Sequence, residues 1–518
     1  MKPDYDIAVV GCGPVGAYAA NLLGRTGLKT VVLERDLSPY PLPRAVHIDH
    51  EIVRLLADIS LWEPLRHKTM AADGHIHIGA DGGVIRYLSA VNRPMPFGYA
   101  NDYFFYQPEL EEVLREGLER FDNVETRFGT HVSTLTHEAD GVTITFADDT
   151  HLKASWVVGC DGARSTVRNA SGIILDDLKF DEPWLVVDAE VDGPITFPNF
   201  TGVPEEANLQ RLSVMLCDPR RPATIVPGRG NHRRWEFMLL PGEDRPSMED
   251  PKRVRDLVAP WVQDTPHKIM RAATYRFHGL VAEQWRQGRI FLAGDAAHQT
   301  PPFFGQGMCH GMRDVANLVW KLAMVASGGA GAGLLDTYQT ERDAQVRHVI
   351  GKAVDVGRTI CVLDPEEAAK RDVRVRSEVK MQAAQELIVP IGSEVIGENA
   401  GERFINPPVD DGLLDDRTGG GWVLLSKKPV SLSEPAHAVL DRLGAVQLCT
   451  EEVNDRENHL AVWFDKKGVD AVLIRPDFYL AIAASSQSLC TDIMRLAEAM
   501  QLSPKDQPIT INRGHATI

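Results

Sequence analysis

Short apolar runs alternate with stretches of helical spacing from the start of the chain. Residues 6–10 form a continuous apolar run, 17–23 is rich in Ala and Leu, and 29–33 is a second run that stops at Glu34. Runs of this length bounded by turn residues read as buried strands, and the stretch between them as a helix. Residues 44–62 read as a loop entering a helix, with Ile52, Leu55, Leu56 and Ile59 on one face. A clearer helix is predicted over 108–121, striped by Leu110, Val113, Leu114, Leu118 and Phe121. Strands over 142–146 and 152–158 flank a turn and run into Cys160-Asp161-Gly162. From 183 to 243 four β-rich runs (185–191, 212–217, 223–226, 234–240) are separated by Pro and Gly, which predicts an antiparallel sheet. A buried strand at 289–293 precedes a long helix over 307–327, striped by Val315, Leu318, Val319, Leu322 and Val325 and stopped by Gly328-Gly329. A further helix is expected over 336–354. After about 385 the composition shifts. Strands at 422–425, 461–464 and 471–474, with helices between, predict a small separate α/β domain over 400–518.

The 518 residues set a soft expectation of about three domains. Lys plus Arg is 55 and Asp plus Glu is 72, a formal charge of −17. That balance argues against a nucleic-acid or anionic-membrane surface. No apolar run approaches the roughly 20 residues of a membrane span, and the first six residues are not those of a signal peptide. Seven scattered cysteines without Cys-x-x-Cys spacing predict reduced thiols in a cytoplasm and no metal site.

Gly11, Gly13 and Gly16 sit between a strand and a helix. This spacing gives a tight turn, a side-chain-free path for a pyrophosphate, and close packing of helix on strand. Glu34, 18 residues beyond Gly16, is placed to bind ribose hydroxyls. Far along the chain, Gly294-Asp295 ends another strand, and its carboxylate suits a polyol such as the ribityl chain of a flavin. Asp295 has a blander reading as a helix cap. Pro301-Pro302 is stiff, and Gly305-Gln306-Gly307-Met308 opens the long helix. The positive end of that helix would face the flavin edge that gains negative charge on reduction.

These segments resemble the class A flavoprotein aromatic hydroxylases of the para-hydroxybenzoate hydroxylase type. The matching fingerprints are Gly11-x-Gly13-x-x-Gly16, Cys160-Asp161-Gly162-Ala-Arg164-Ser165, and Gly294-Asp295-Ala-Ala-His298 with Pro301. The 3-(3-hydroxyphenyl)propionate hydroxylases are most similar. Pro43-Arg44-Ala45, Ile48-Asp49, Gln107-Pro108, Arg234-x-Glu236-Phe237-Met238, Gly305-Gln306-Gly307 and Gly311-Met312-Arg313-Asp314 all look like that subgroup. The likeness covers about residues 1–350. The tail is similar to the group's thioredoxin-like domain, and it lacks Cys-x-x-Cys, so no thiol redox role is expected.

The resemblance implies an α/β fold. A Rossmann-type FAD-binding domain (1–182 and 275–385, with some substrate-site segments) would interleave with an antiparallel-sheet substrate domain (183–274). A thioredoxin-like domain would follow over 400–518. Gly11, Gly13, Pro14, Val15 and Gly16 would hold the FAD pyrophosphate, and Glu34 with Arg35 the adenosine ribose. Arg44, Gln107, Asp161, Gly294 and Asp295 would also contact the cofactor. Pro302, Gly305, Gln306, Gly307 and Met308 would line its ring. The implied reaction uses NADH or NADPH and O₂ to hydroxylate a phenol through a C4a-hydroperoxyflavin, giving a catechol-type product. A homodimer is an expectation from the resemblance alone.

Deprotonating the phenol enriches its ring, so a base is sought. His47 and Asp49, in the loop after Arg44, are the candidates, although Asp49 equally suits a helix cap. Tyr99, Tyr103 and Tyr106 could line a substrate pocket, with core packing the alternative. Arg211, Arg220, Arg221 and Arg234 are possible partners of a substrate carboxylate. Hydroxylation of larger polyketide-type aromatics, flavin binding without turnover, and an NAD dehydrogenase remain as other readings.

Overall fold

The computed structural model describes residues 3–378 and 387–503. Tyr5–Val10 lies mid-sheet, with parallel neighbours on both sides. Thr30–Glu34 flanks it after the helix Pro14–Gly24, and His151–Gly159 lies opposite. The path across this sheet is Arg286–Gln287, Ile290–Leu292, His151–Gly159, Tyr5–Val10, Thr30–Glu34, Val124–Phe128. The inner strands are covered on both faces, so they read as unbroken apolar runs. Val132–His137 and Val142–Phe146 extend His151–Gly159 as an antiparallel hairpin.

The second sheet has eight strands. Its order is His298–Gln299, His267–Ala282, Leu175–Val191, His232–Met238, Ala223–Pro227, Ser213–Leu216, Gly74–Ile78, Val84–Ser89. All neighbours are antiparallel except Ser213–Leu216 with Gly74–Ile78. The sheet is not confined to 183–274: it draws strands from 74–89 and reaches to 282 and 299. Those strands interrupt their apolar residues with polar ones, so they form no continuous apolar run. The other face is apolar. Leu185, Val187, Trp235, Phe237, Ile225 and Val214 pack there with Val254, Val258 and Trp261 of the helix Pro251–Val262.

The loop after Arg44 contains a short strand, His47–Asp49, paired with Asp102–Phe105. The helix His50–Asp58 follows directly. The long helix Gly307–Ala326 crosses Pro14–Gly24, and every residue from Cys309 to Met324 is buried. A helix buried all round leaves its polar side chains dependent on protein partners.

In the tail, Val423–Ser426 pairs in parallel with Val446–Cys449 and antiparallel with Ala471–Ile474, which pairs with Leu480–Ala484. Helices Glu434–Leu443, His459–Lys467 and Leu489–Ala499 pack around this sheet. Residues 461–464 are therefore helical, not a strand. Leu460 and Phe464 are buried one helical turn apart, and a four-residue apolar run does not separate the two periodicities. The boundary at 385 and residues 504–518 lie outside the described residues.

Candidate active site

The glycine turn has three distinct local environments. Gly11 has φ +96°, and a Cβ there would lie 2.5 Å from the Cys160 carbonyl oxygen. A Cβ on Gly16 would lie 1.9 Å from the Gly11 carbonyl oxygen. A Cβ on Gly13 would meet nothing within 4 Å. Two glycines thus permit close packing of backbone, and the third faces open space at the start of a helix. Pro14 is in the first turn of that helix, and Val15 packs on Gly294 and Gly311. This is the cradle a dinucleotide pyrophosphate requires.

The surrounding loops are tied to one another. Glu34 Oε2 accepts from the Cys12 backbone N–H at 2.6 Å, and Arg35 beside it is exposed. In the helix Gln107–Glu116, residues Gln107, Glu111 and Arg115 recur every fourth position on one face. Gln107 Oε1 accepts from the backbone N–H groups of Arg44 and Ala45, at 3.0 and 2.7 Å. Its amide nitrogen donates to Glu111 at 2.7 Å, and Arg115 donates to the Cys12 carbonyl at 3.0 Å. Gln107 therefore has its amide committed to the loop that carries Arg44. Arg44 itself is exposed, stacked 4.6 Å from the Tyr40 ring centroid.

Asp161 is engaged likewise. It accepts from the Ser165 hydroxyl and, at 3.0 Å, from the Val167 N–H, while burial raises its pKa against those bonds. Arg168 joins this segment to the next by donating to the carbonyls of Ala163 and Ala296, at 2.8 and 3.0 Å. The Gly294 N–H donates to Asp314 at 3.0 Å, and His298 and Arg342 pair with the same buried carboxylate. Asp314 is a residue that motif reading noted but gave no task.

Asp295 has an accessible side chain, yet dense surrounding protein raises its pKa, offset by His298 and Arg44. That combination marks the wall of a cleft. Pro302 begins a turn that ends at Gly305, where φ is +64° and a Cβ would lie 2.7 Å from His47 Nδ1. Gly307 starts the long helix with open space at its α-carbon, and Met308 follows half-buried. The first turn has no acidic residue and no side-chain cap, so its N–H groups and dipole are free to meet negative charge.

A family model described as FAD binding domain matches residues 4–353, and one described as HcaD C-terminal domain matches 401–499. The chain belongs to the class A FAD-dependent aromatic hydroxylases. It is 33% identical to a probable NADH-specific resorcinol 4-hydroxylase of Rhodococcus jostii, over 97% of this chain and 96% of the relative. It is 34% identical to a 3-(3-hydroxy-phenyl)propionate/3-hydroxycinnamic acid hydroxylase of Burkholderia vietnamiensis, over 92% and 93%. The flavin-dependent monooxygenase PieE, solved with FAD and substrate, shares the fold at TM-score 0.78 and 20% identity, covering 96% of this chain and all of that one. In this hydroxylase Gly11 to Gly16, Glu34, Asp295 and the 305–308 turn would hold FAD, which when bound would supply the redox chemistry between NAD(P)H and O₂.

The two candidate bases have other partners. Asp49 caps the helix His50–Asp58 by accepting from the Glu51 and Ile52 N–H groups. It also accepts from Arg313 at 2.6 Å and from the Gln306 amide at 3.1 Å. Burial would raise its pKa, but Arg313 and His50 hold it far below the usual carboxylate range. His47 Nε2 lies 2.7 Å from Asp102 Oδ1. Burial would lower its pKa, yet the bonds to Asp102 and Cys309 keep it well above the ordinary histidine value. Asp49 therefore has its oxygens committed to Arg313, Gln306 and the helix start, and His47 has its Nε2 committed to Asp102. Gln306 is buried between Asp49 and Arg313, so its amide braces the turn from behind.

The tyrosines pack. Tyr99 and Tyr103 stand edge-on to Trp62, at 6.1 and 5.2 Å, and Tyr106 does so to His232 at 5.7 Å. Each candidate arginine already has an acid: Asp73 for Arg211, Asp218 for Arg220, Glu243 for Arg221, Asp188 for Arg234. On the polar face of the second sheet, sequence reading gave a possible task to Arg234 alone. There Val226 packs on Val46 and Phe104, Arg234 donates to the carbonyls of Pro43 and Arg44, and Trp184 meets Phe303 edge-on at 5.9 Å. This face therefore lies between the Arg44 loop and the turn that opens the long helix.

Proposed function

We propose that this hydroxylase inserts one oxygen atom of O₂ into a phenolic ring, ortho or para to the hydroxyl, with NADH or NADPH as reductant. The observation that carries the reading is the placement of the second sheet's polar face against both cofactor loops. A ring held on that face would lie beside the flavin edge defined by Gly305 to Met308. The names of the two relatives, one acting on resorcinol and one on 3-(3-hydroxyphenyl)propionate, support a single-ring phenol. The paired state of Arg211, Arg220, Arg221 and Arg234 supports recognition of the ring hydroxyl more than of a substrate carboxylate. We assign His47 and Asp49 to positioning: both brace the turn from Gly305 to Gly307, where reduced flavin would carry its charge.

The test is NADH and NADPH oxidation by the yellow purified protein, with and without resorcinol or 3-(3-hydroxyphenyl)propionate. Stimulated oxidation with a hydroxylated product supports the proposal. A protein that binds FAD but oxidises neither nucleotide faster with any phenol would overturn it.

A further inference from the structure

One cross-strand row on the polar face of the second sheet runs Met215, Thr224, Glu236, Val186, Ala273. Its two polar members stand without partners among the described residues. Glu236 is 8% exposed, and its carboxylate makes neither an ion pair nor a hydrogen bond. Thr224 Oγ1 is buried and makes none either. The adjacent row does not supply what they lack. Arg234 spends its donors on Asp188 and on the carbonyls of Pro43 and Arg44, Arg271 pairs with Asp188 at 2.7 Å, and His232 lies 2.9 Å from the same acid. A buried carboxylate and a buried hydroxyl left unpaired side by side are costly to the fold. Two such neighbours facing the cofactor loops mark a place where a ligand supplies the missing bonds.

We propose that Glu236 accepts the proton of the substrate's phenolic hydroxyl and that Thr224 donates a hydrogen bond to the same oxygen. The proposal rests on the hydroxylase reading above. In this step the phenol O–H bond breaks and a new O–H bond forms on the Glu236 carboxylate. The electron pair stays on the phenolic oxygen and enriches the ring carbons ortho and para to it. Burial lifts the Glu236 pKa to about 7, with Arg234 and Arg271 opposing the rise and Asp188 adding to it. A base is most effective when its pKa lies near the working pH. Three further groups on this face shift downward: burial pushes His77 down to about 3 and also lowers His75, and Arg234, His232 and Arg271 hold Asp188 far below the carboxylate range.

The experiment compares Glu236→Gln, Glu236→Asp and Thr224→Val with the FAD-loaded wild type, using resorcinol and 3-(3-hydroxyphenyl)propionate as probes. For wild type, kcat/KM for hydroxylation should rise with pH through an inflection near 7, as the carboxylate form appears. E236Q should lose the inflection and slow hydroxylation on the order of 10²-fold or more, while still binding FAD. E236D should restore part of the rate. T224V should raise KM with kcat largely kept. Unchanged product rate and pH profile in E236Q would overturn the proposal. Should E236Q fail to load FAD, E236D and T224V decide it: a shifted inflection in the first and a raised KM in the second support it, and wild-type behaviour in both sinks it. Failure of the wild type itself to respond to any phenol would instead remove the hydroxylase reading.

Discussion

At the scale of single residues, the two outer glycines of the turn and the middle one are needed for different reasons. A methyl on Gly16 collides with the Gly11 carbonyl, whereas a methyl on Gly13 points into open space. Gly16→Ala should therefore destabilise the protein itself, by about 1–3 kcal/mol or more. Gly13→Ala should leave the flavin-free protein close to wild-type stability, since its N-cap exchange costs no more than about 1 kcal/mol, yet weaken FAD. Thermal melts of both apoproteins, set against FAD titrations, check this; equal melting temperatures would refute it. The glycine turn was readable from sequence because it is a local pattern. The tasks of Asp49 and His47 were not. Arg313, which holds Asp49, lies 264 positions away, and Asp102, which holds His47, lies 55 away.

At the scale of elements, the helix Gln107–Glu116 shows how one face can serve two loops. Its i, i+4, i+8 polar ladder connects the Arg44 loop to the glycine turn. Arg115→Ala would free the Cys12 carbonyl and loosen the turn without touching the second sheet. We expect the Kd for FAD to rise about 10-fold, roughly 1.4 kcal/mol, as measured by flavin fluorescence titration. An unchanged Kd would show that the ladder does not support the cofactor. The helix itself was legible, as was the long one beginning at Gly307, because both combine helical spacing with clear ends. The polar halves of Leu175–Val191 and His267–Ala282 were not. Strands whose exposed-looking residues face a binding cleft lose the alternation by which strands are recognised.

At the scale of the whole molecule, the tail is joined to the rest by buried charge. Arg54 donates to Asp415 at 2.6 and 2.8 Å and to the Phe404 carbonyl. Arg475 pairs with Glu341 at 2.8 Å, which also holds Lys321 at 2.9 Å. Arg403 pairs at 2.8 Å with Glu51, which shares Arg313 with Asp49. Removing one partner of a buried pair costs about 3–5 kcal/mol, and truncation removes several at once. A chain ending at residue 400 should therefore be insoluble or unfolded and hold no flavin. A soluble yellow fragment of that length would contradict this.

The bond from Arg403 to Glu51 also bears on how such enzymes can be recombined. The seam between body and tail is clean in the linear sequence but not in its ionic bonds. A tail taken from another member would bring its own residue to the position of Arg403, while Glu51 and Arg313 stayed behind. Grafts across this seam should succeed only when the residues at 51, 54, 341, 403, 415 and 475 travel as one set, so these positions must be inherited together although more than 400 residues separate the first from the last.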